Sequence, residues 1–149
     1  MADVSAVRSV LADRLATITG LRVQEYTEGS VSPPTATLLV GLGPDTSMSR
    51  PAIDYDKSYR GAAMLNFLVK VAVSATLSDV SQRELDAYLA KDGPKSIKAA
   101  IEADSEPLEV DDELVADYAL VPAVTHYGFI QWGGVDYLGA DFHVGVLTR

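Results

Sequence analysis

Cysteine is absent from the 149 residues, which excludes a disulfide framework, a cysteine nucleophile, thiolate zinc sites and iron–sulfur clusters. Histidine occurs only 2 times and aromatic residues make up 7% of the chain. No apolar run approaches the ~18 residues of a membrane span. The opening Met-Ala-Asp-Val-Ser has no basic region ahead of an apolar stretch, so no secretory signal is expected. Clustered Lys and Arg are also lacking, which argues against a protein that grips nucleic-acid phosphates. What remains is 48% hydrophobic and 22% charged, the balance of a globular chain rather than a disordered one. Its length suits one domain over residues 1–149, able to bury roughly 68–70% of its unfolded surface.

The net charge of −9 is placed unevenly. Residues 1–98 hold 11 basic and 11 acidic side chains, whereas residues 99–149 hold 10 acids and one base, Arg149. Eight of those acids fall between Glu102 and Asp117. The plain reading of such a run is a solvated loop that aids solubility.

Periodicity supplies the elements. Val4, Val7, Leu11, Leu15 and Ile18 recur at spacings of three and four, predicting an amphipathic helix over about Val4 to Thr19, with Gly20 suited to its C-terminal stop. A short strand near Leu21 to Tyr26 and a β-rich run from Thr35 to Leu42 follow. Residues 43–60 carry turn chemistry and no apolar period, a loop long enough to suggest function. Ala63, Leu65, Phe67, Val69, Val71 and Val73 then alternate with a mixed set, predicting a strand packed more heavily on one side. Asp79 opens a helix to about Ala90, with Val80, Leu85, Tyr88 and Leu89 available for burial. Pro94 fits the first position of a second short helix over Lys95 to Ala103. The end of the chain reads as a β-hairpin turning at Gly133-Gly134. Between Val135-Tyr137 and Ala140-Phe142-Val144-Val146 the apolar phase changes, which predicts a β-bulge at Leu138-Gly139. The expected fold is α+β: a mainly antiparallel sheet packed with an N-terminal helix and a central helix pair, closing with a long C-terminal β-hairpin.

Catalytic patterns are thin. There is no Gly-x-Ser-x-Gly elbow, no phosphate-binding glycine loop, and Asp54-Tyr55-Asp56 lacks the rest of a calcium loop. Asp141 and His143 share a strand face that His126 could join, so a metal edge or a base is conceivable in geometry alone. That face opposes Ala140, Phe142, Val144 and Val146, and the plain reading is surface histidines. No enzyme, cofactor or metal site is expected.

The long loop offers more. Residues 48–60 mix Met48, Ile53, Tyr55 and Tyr59 with Arg50, Lys57 and Arg60, and methionine, tyrosine and arginine are enriched where proteins meet. The alternative is a loop folded over its own domain with its aromatics at the core margin. Trp132, beside the Gly133-Gly134 turn, is a second candidate contact because an indole there is often exposed.

Three pieces of the chain together resemble the small tail terminator proteins of long-tailed, siphovirus-type phages of actinobacteria. The first is Ile53-Asp54-Tyr55-Asp56 with Arg60-Gly61 and the alternating strand Leu65 to Val73. The second is Leu85-Asp86-Ala87-Tyr88-Leu89 leading to Gly93-Pro94-Lys95-Ser96-Ile97-Lys98-Ala99-Ala100-Ile101-Glu102-Ala103-Asp104. The third runs from Tyr127-Gly128 through Gly133-Gly134-Val135-Asp136-Tyr137-Leu138-Gly139-Ala140-Asp141-Phe142-His143-Val144. They cover most of the chain from residue 53 onward, in order.

The resemblance implies a structural virion protein at the tail–head junction, assembled in the host cytoplasm. It implies a homohexameric ring that sits on the major tail tube protein, ends tube polymerisation and docks the head-side connector or stopper. DNA would pass through the lumen without specific binding, and no membrane is involved. On this reading Met48, Arg50, Ile53, Tyr55, Lys57, Tyr59, Arg60 and Trp132 are candidates for subunit or tube contacts. Glu109, Asp111, Asp112, Glu113 and Asp117 are candidates for an acidic lumen over which DNA phosphates slide. The alternative is another head–tail connector component, a stopper or neck ring, told apart by its partner. A small hydrolase or metal enzyme using His126, Asp141 and His143 is a more distant alternative.

Overall fold

The computed structural model describes residues 4–26, 29, 31–40, 52–55, 63–75, 79–103, 108–110, 113–116 and 118–148. In chain order these form α1 (Val4–Leu15), β1 (Arg22–Gln24), β2 (Thr35–Val40), β3 (Ile53–Asp54), β4 (Ala63–Ser74), α2 (Asp79–Leu89), α3 (Ile97–Ile101), β5 (Leu108–Val110), β6 (Glu113–Ala116), β7 (Tyr118–Trp132) and β8 (Val135–Thr148). The fold is α+β, with three helices and a mixed, mostly antiparallel six-stranded sheet among the described residues. The strand order is β1-β2-β4-β8-β7, with β3 also pairing with β4. Among the described strands of this sheet, only β1 and β2 run parallel.

The alternation in β4 places Leu65, Phe67, Val69, Val71 and Val73 on one sheet face, where they meet Ala140, Phe142, Val144 and Val146 of β8. All three helices bury into this same cluster: Val7, Leu11 and Leu15 from α1, Leu85 and Tyr88 from α2, and Ile97 and Ile101 from α3. The three- and four-residue spacing of α1 accounts for its buried stripe. That helix is shorter than its periodicity predicts. After Leu15 the backbone tightens to three-residue bonds, Thr17 N to Arg14 O and Ile18 N to Leu15 O, and Gly20 adopts φ 86. Ile18 is still buried by this tighter turn.

The second face of β4 is the less covered one, as its mixed composition predicts, with Asn66, Leu68 and Ala72 buried, Met64 and Lys70 half-exposed and Ser74 exposed. Several expectations are corrected. Val80 is exposed at the start of α2 rather than buried. Pro94 does not open α3; Ser96 caps it, its Oγ accepting from the Ala99 N–H and donating to the Ala90 carbonyl. Part of the acidic stretch is strand rather than loop, because β5 and β6 pair into a separate two-stranded ribbon beside α1 and β8.

The bulge expected at Leu138-Gly139 is also absent. The β4–β8 ladder is unbroken from Ala63↔Thr148 to Ser74↔Tyr137. The apolar phase changes because both faces of β8 are buried there: Leu138 joins the main core, while Tyr137 joins Val31 and Ala72 in a second cluster on the other face. Gly139 serves close packing instead. A Cβ on it would lie 2.7 Å from the Val71 carbonyl oxygen and 2.8 Å from Cδ1 of Ile130. Gly133 and Gly134 turn the hairpin with φ 58 and φ 79, the paired positive angles of a tight primed turn.

Candidate assembly surface

β7 is an edge of the sheet, and it is 15 residues long without a single Lys, Arg, Asp or Glu. Exposed edges are usually blunted by charge or by irregularity, because their open N–H and C=O groups invite another strand. Here the irregularity is confined to one half. The register with β8 slips between Leu120 and Ala123 and again between Val124 and His126, and Pro122 removes one donor. At the first slip, α3 reaches over the strand. Glu102 accepts from the Val121 N–H at 2.8 Å, and Lys98 donates to the Val121 carbonyl at 3.2 Å while pairing with Glu102. The backbone groups that the bulge frees are therefore taken by one helix.

Beyond the second slip the strand is regular. Tyr127 to Trp132 pair in sequence with Ala140 to Val135, and His126 reaches the Phe129 carbonyl of this stretch at 3.4 Å. On the helix side of the sheet Val124, Tyr127 and Phe129 are 39%, 48% and 55% exposed. Tyr118 and Leu120 are exposed on the opposite side, and Val135 at the turn. With ~150–250 Å² of side chain per aromatic residue, these fractions leave roughly 150–250 Å² of open surface on Tyr127 and Phe129, which share the helix side of the sheet. The largest apolar patch on a monomer is often functional. Tyr127 is anchored: its hydroxyl donates to Asp86 of α2 at 3.0 Å. Its phenol is held above the ordinary value by desolvation first and then by the Asp86 carboxylate.

Of the predicted contact residues, Ile53, Tyr55 and Trp132 are described. Ile53 pairs with Leu65 and packs half-buried on the core, so it belongs to the domain's own margin. Tyr55, two residues on, is 65% exposed. Trp132 is not an exposed tip; it packs half-buried against the cluster of Val31, Ala72 and Tyr137 because its strand face turns inward there. Glu109 and Glu113 have strand backbone in β5 and β6. Met48, Arg50, Lys57, Tyr59, Arg60, Asp111, Asp112 and Asp117 lie outside the described residues. The residues the sequence reading passed over are Tyr118, Leu120, Val124, Tyr127 and Phe129. A signal for them exists in the uncharged run from Tyr118 to Trp132, conspicuous in so acidic a half of the chain.

The histidines are separated in role. His143 is buried, not at the surface, and its Nε2 lies 2.6 Å from the Thr125 hydroxyl. Asp141 faces Lys70 across the β4–β8 ladder at 4.0 Å. His126 is exposed and reaches toward the Phe129 carbonyl at 3.4 Å. Among the described residues no three His, Asp or Glu side chains are grouped to hold a metal ion. No described helix is long and apolar enough to cross a membrane.

Comparison with protein-family models finds no match, and comparison with curated proteins finds none either.

Proposed function

We propose that this chain is a tail terminator: a structural virion protein that forms a hexameric ring on the end of the tail tube, stops tube growth and offers the head connector its docking surface. The observation that supports this most is the uncharged, apolar and half-open edge of β7. A ring of identical copies needs two complementary surfaces on each subunit, each meeting the other on a neighbour. In a chain of net charge −9, repulsion between copies is least where a surface carries no charge. A regular edge stretch such as Tyr127–Trp132, uncharged and partly open, suits association rather than catalysis.

In this reading the hairpin of β7 and β8 forms a flank of the subunit, and DNA passes through the ring. The acidic segment that includes the β5–β6 ribbon lines or rims the channel, where like charge keeps the phosphate backbone from sticking. Tyr55 and its neighbours in the 43–60 segment contact the tube or an adjacent copy.

The test is tube assembly in vitro. The cognate tube protein, polymerised with increasing amounts of this chain, should give progressively shorter tubes with a ring-shaped cap at one end. A tube-length distribution unchanged by molar excess of the chain overturns the reading.

A further inference from the structure

We infer that β7 of one copy pairs antiparallel with β1 of the next, so that the six-stranded sheets continue from subunit to subunit. The inference rests on the ring reading above and adds to it the two surfaces that meet. The sheet ends on one side at β7 and on the other at β1. β1 runs parallel to β2, and every later neighbour is antiparallel, so β1, β2 and β8 run one way while β4 and β7 run the other. Placing the β1 edge of a second, equally oriented copy beside β7 therefore gives an antiparallel pair. Such a head-to-tail contact is heterologous and can close into a ring, whereas β7 against β7 makes only a two-fold dimer.

The side chains match this arrangement. The helix face of one sheet continues into the helix face of the next, so Val124, Tyr127 and Phe129 meet the α1–β1 margin. There Val23 is only partly buried. Tyr26, just past β1, is 56% exposed with the Arg8 guanidinium 4.4 Å above its ring. Arg8 also donates to the Glu25 and Leu38 carbonyls, which holds the β1 end in place for a partner. Charge favours the same choice. Asp86 and Asp136 flank β7, and pairing β7 with itself doubles them, while the β1 edge offers the exposed cation Arg22.

The absence of cysteine makes the test clean. Phe129→Cys and Val23→Cys lie on the helix face, and Gly128→Cys with Arg22→Cys forms a second pair on the opposite face. Each pair is oxidised, or bridged with a bismaleimide to allow for register, in the assembled protein. The double variants should give a covalent ladder ending at the ring size, and each single variant should stay monomeric on a denaturing gel. Dimers from Phe129→Cys alone overturn the pairing, as does a lack of cross-links in a sample whose native mass is still that of a ring; both leave the ring reading standing. A protein monomeric with and without tube ends overturns ring and pairing together.

Discussion

Gly139→Ala tests whether the hairpin really sits on β4 in the register described. The added methyl carbon would lie 2.7 Å from the Val71 carbonyl oxygen, 2.8 Å from Ile130 Cδ1 and 3.2 Å from Ile130 Cγ1. Ordinary contacts between carbon atoms fall at ~3.5–4.0 Å. Ile130 can turn aside because it stands on the edge strand and is half-exposed. The Val71 carbonyl cannot, since β4 is held between β2 and β8. Overpacking of this kind costs ~1–3 kcal/mol, offset by ~0.4–1 kcal/mol because alanine restricts the unfolded chain more than glycine. The net loss should be about 1–2 kcal/mol, a fall in Tm of about 2–8 °C for a chain of this size. Gly128, the cross-strand partner of Gly139, is the control. Its added carbon would meet only His126 Nε2 at 3.7 Å and Cε1 at 3.8 Å, so Gly128→Ala should be neutral or slightly stabilising. Urea unfolding followed by the emission of Trp132, the single tryptophan, reads both at matched protein concentration, since association shifts apparent stability. Equal stability of the two variants would refute the register and the close approach behind it.

Three further outcomes follow from particular contacts. Glu102→Ala leaves the Val121 N–H and Lys98 without their shared acceptor and should cost about 1–3 kcal/mol in urea, toward the low end because the Lys98–Glu102 pair is partly exposed. A loss within experimental error would mean that α3 does not clamp the bulge. The buried Tyr88 hydroxyl has no hydrogen-bond partner among the described residues, so Tyr88→Phe should be neutral or stabilising by up to about 1–3 kcal/mol; clear destabilisation would indicate a partner. Burial first, then Glu84, raises the Tyr88 phenol above its ordinary 10.0, so its contribution to stability is whole below pH 10.0 and declines as pH rises through the native value. Tyr88→Phe should flatten that alkaline decline, which an unfolding series across pH 9 to 11 measures; an unchanged slope would assign the decline to other groups.

The parts of the fold that were legible are those governed by local rules. The heptad-like spacing of Val7, Leu11 and Leu15 and the alternation through β4 each report a buried face directly. Gly133-Gly134 reports its turn because only glycine accepts both positive angles cheaply. What escaped depends on partners distant in sequence. Tyr137 and Leu138 look like a phase error until Ala72 and Val31 are seen beneath one and the main core beneath the other. The β5–β6 pairing is hidden because acidic residues in a strand look like those in a solvated loop. His143 appeared exposed because alternation assigns it to the polar face of β8, and it is buried because that face is covered as well. The candidate surface escaped for a similar reason: the sequence places Val124, Tyr127 and Phe129 in the closing β-hairpin, and only the strand order reveals their strand as an edge.

The most direct test of the account is the native mass of the wild-type chain and of Phe129→Lys, at tens of micromolar, with and without tube ends and with electron images of the same samples. Phe129 is 55% exposed, so a lysine there should leave the monomer folded while placing charge on the open edge. The account predicts a six-subunit particle with a central hole for the wild type and a folded monomer for Phe129→Lys. A wild type that stays monomeric even on tube ends, or a Phe129→Lys protein that forms the same ring, would contradict it.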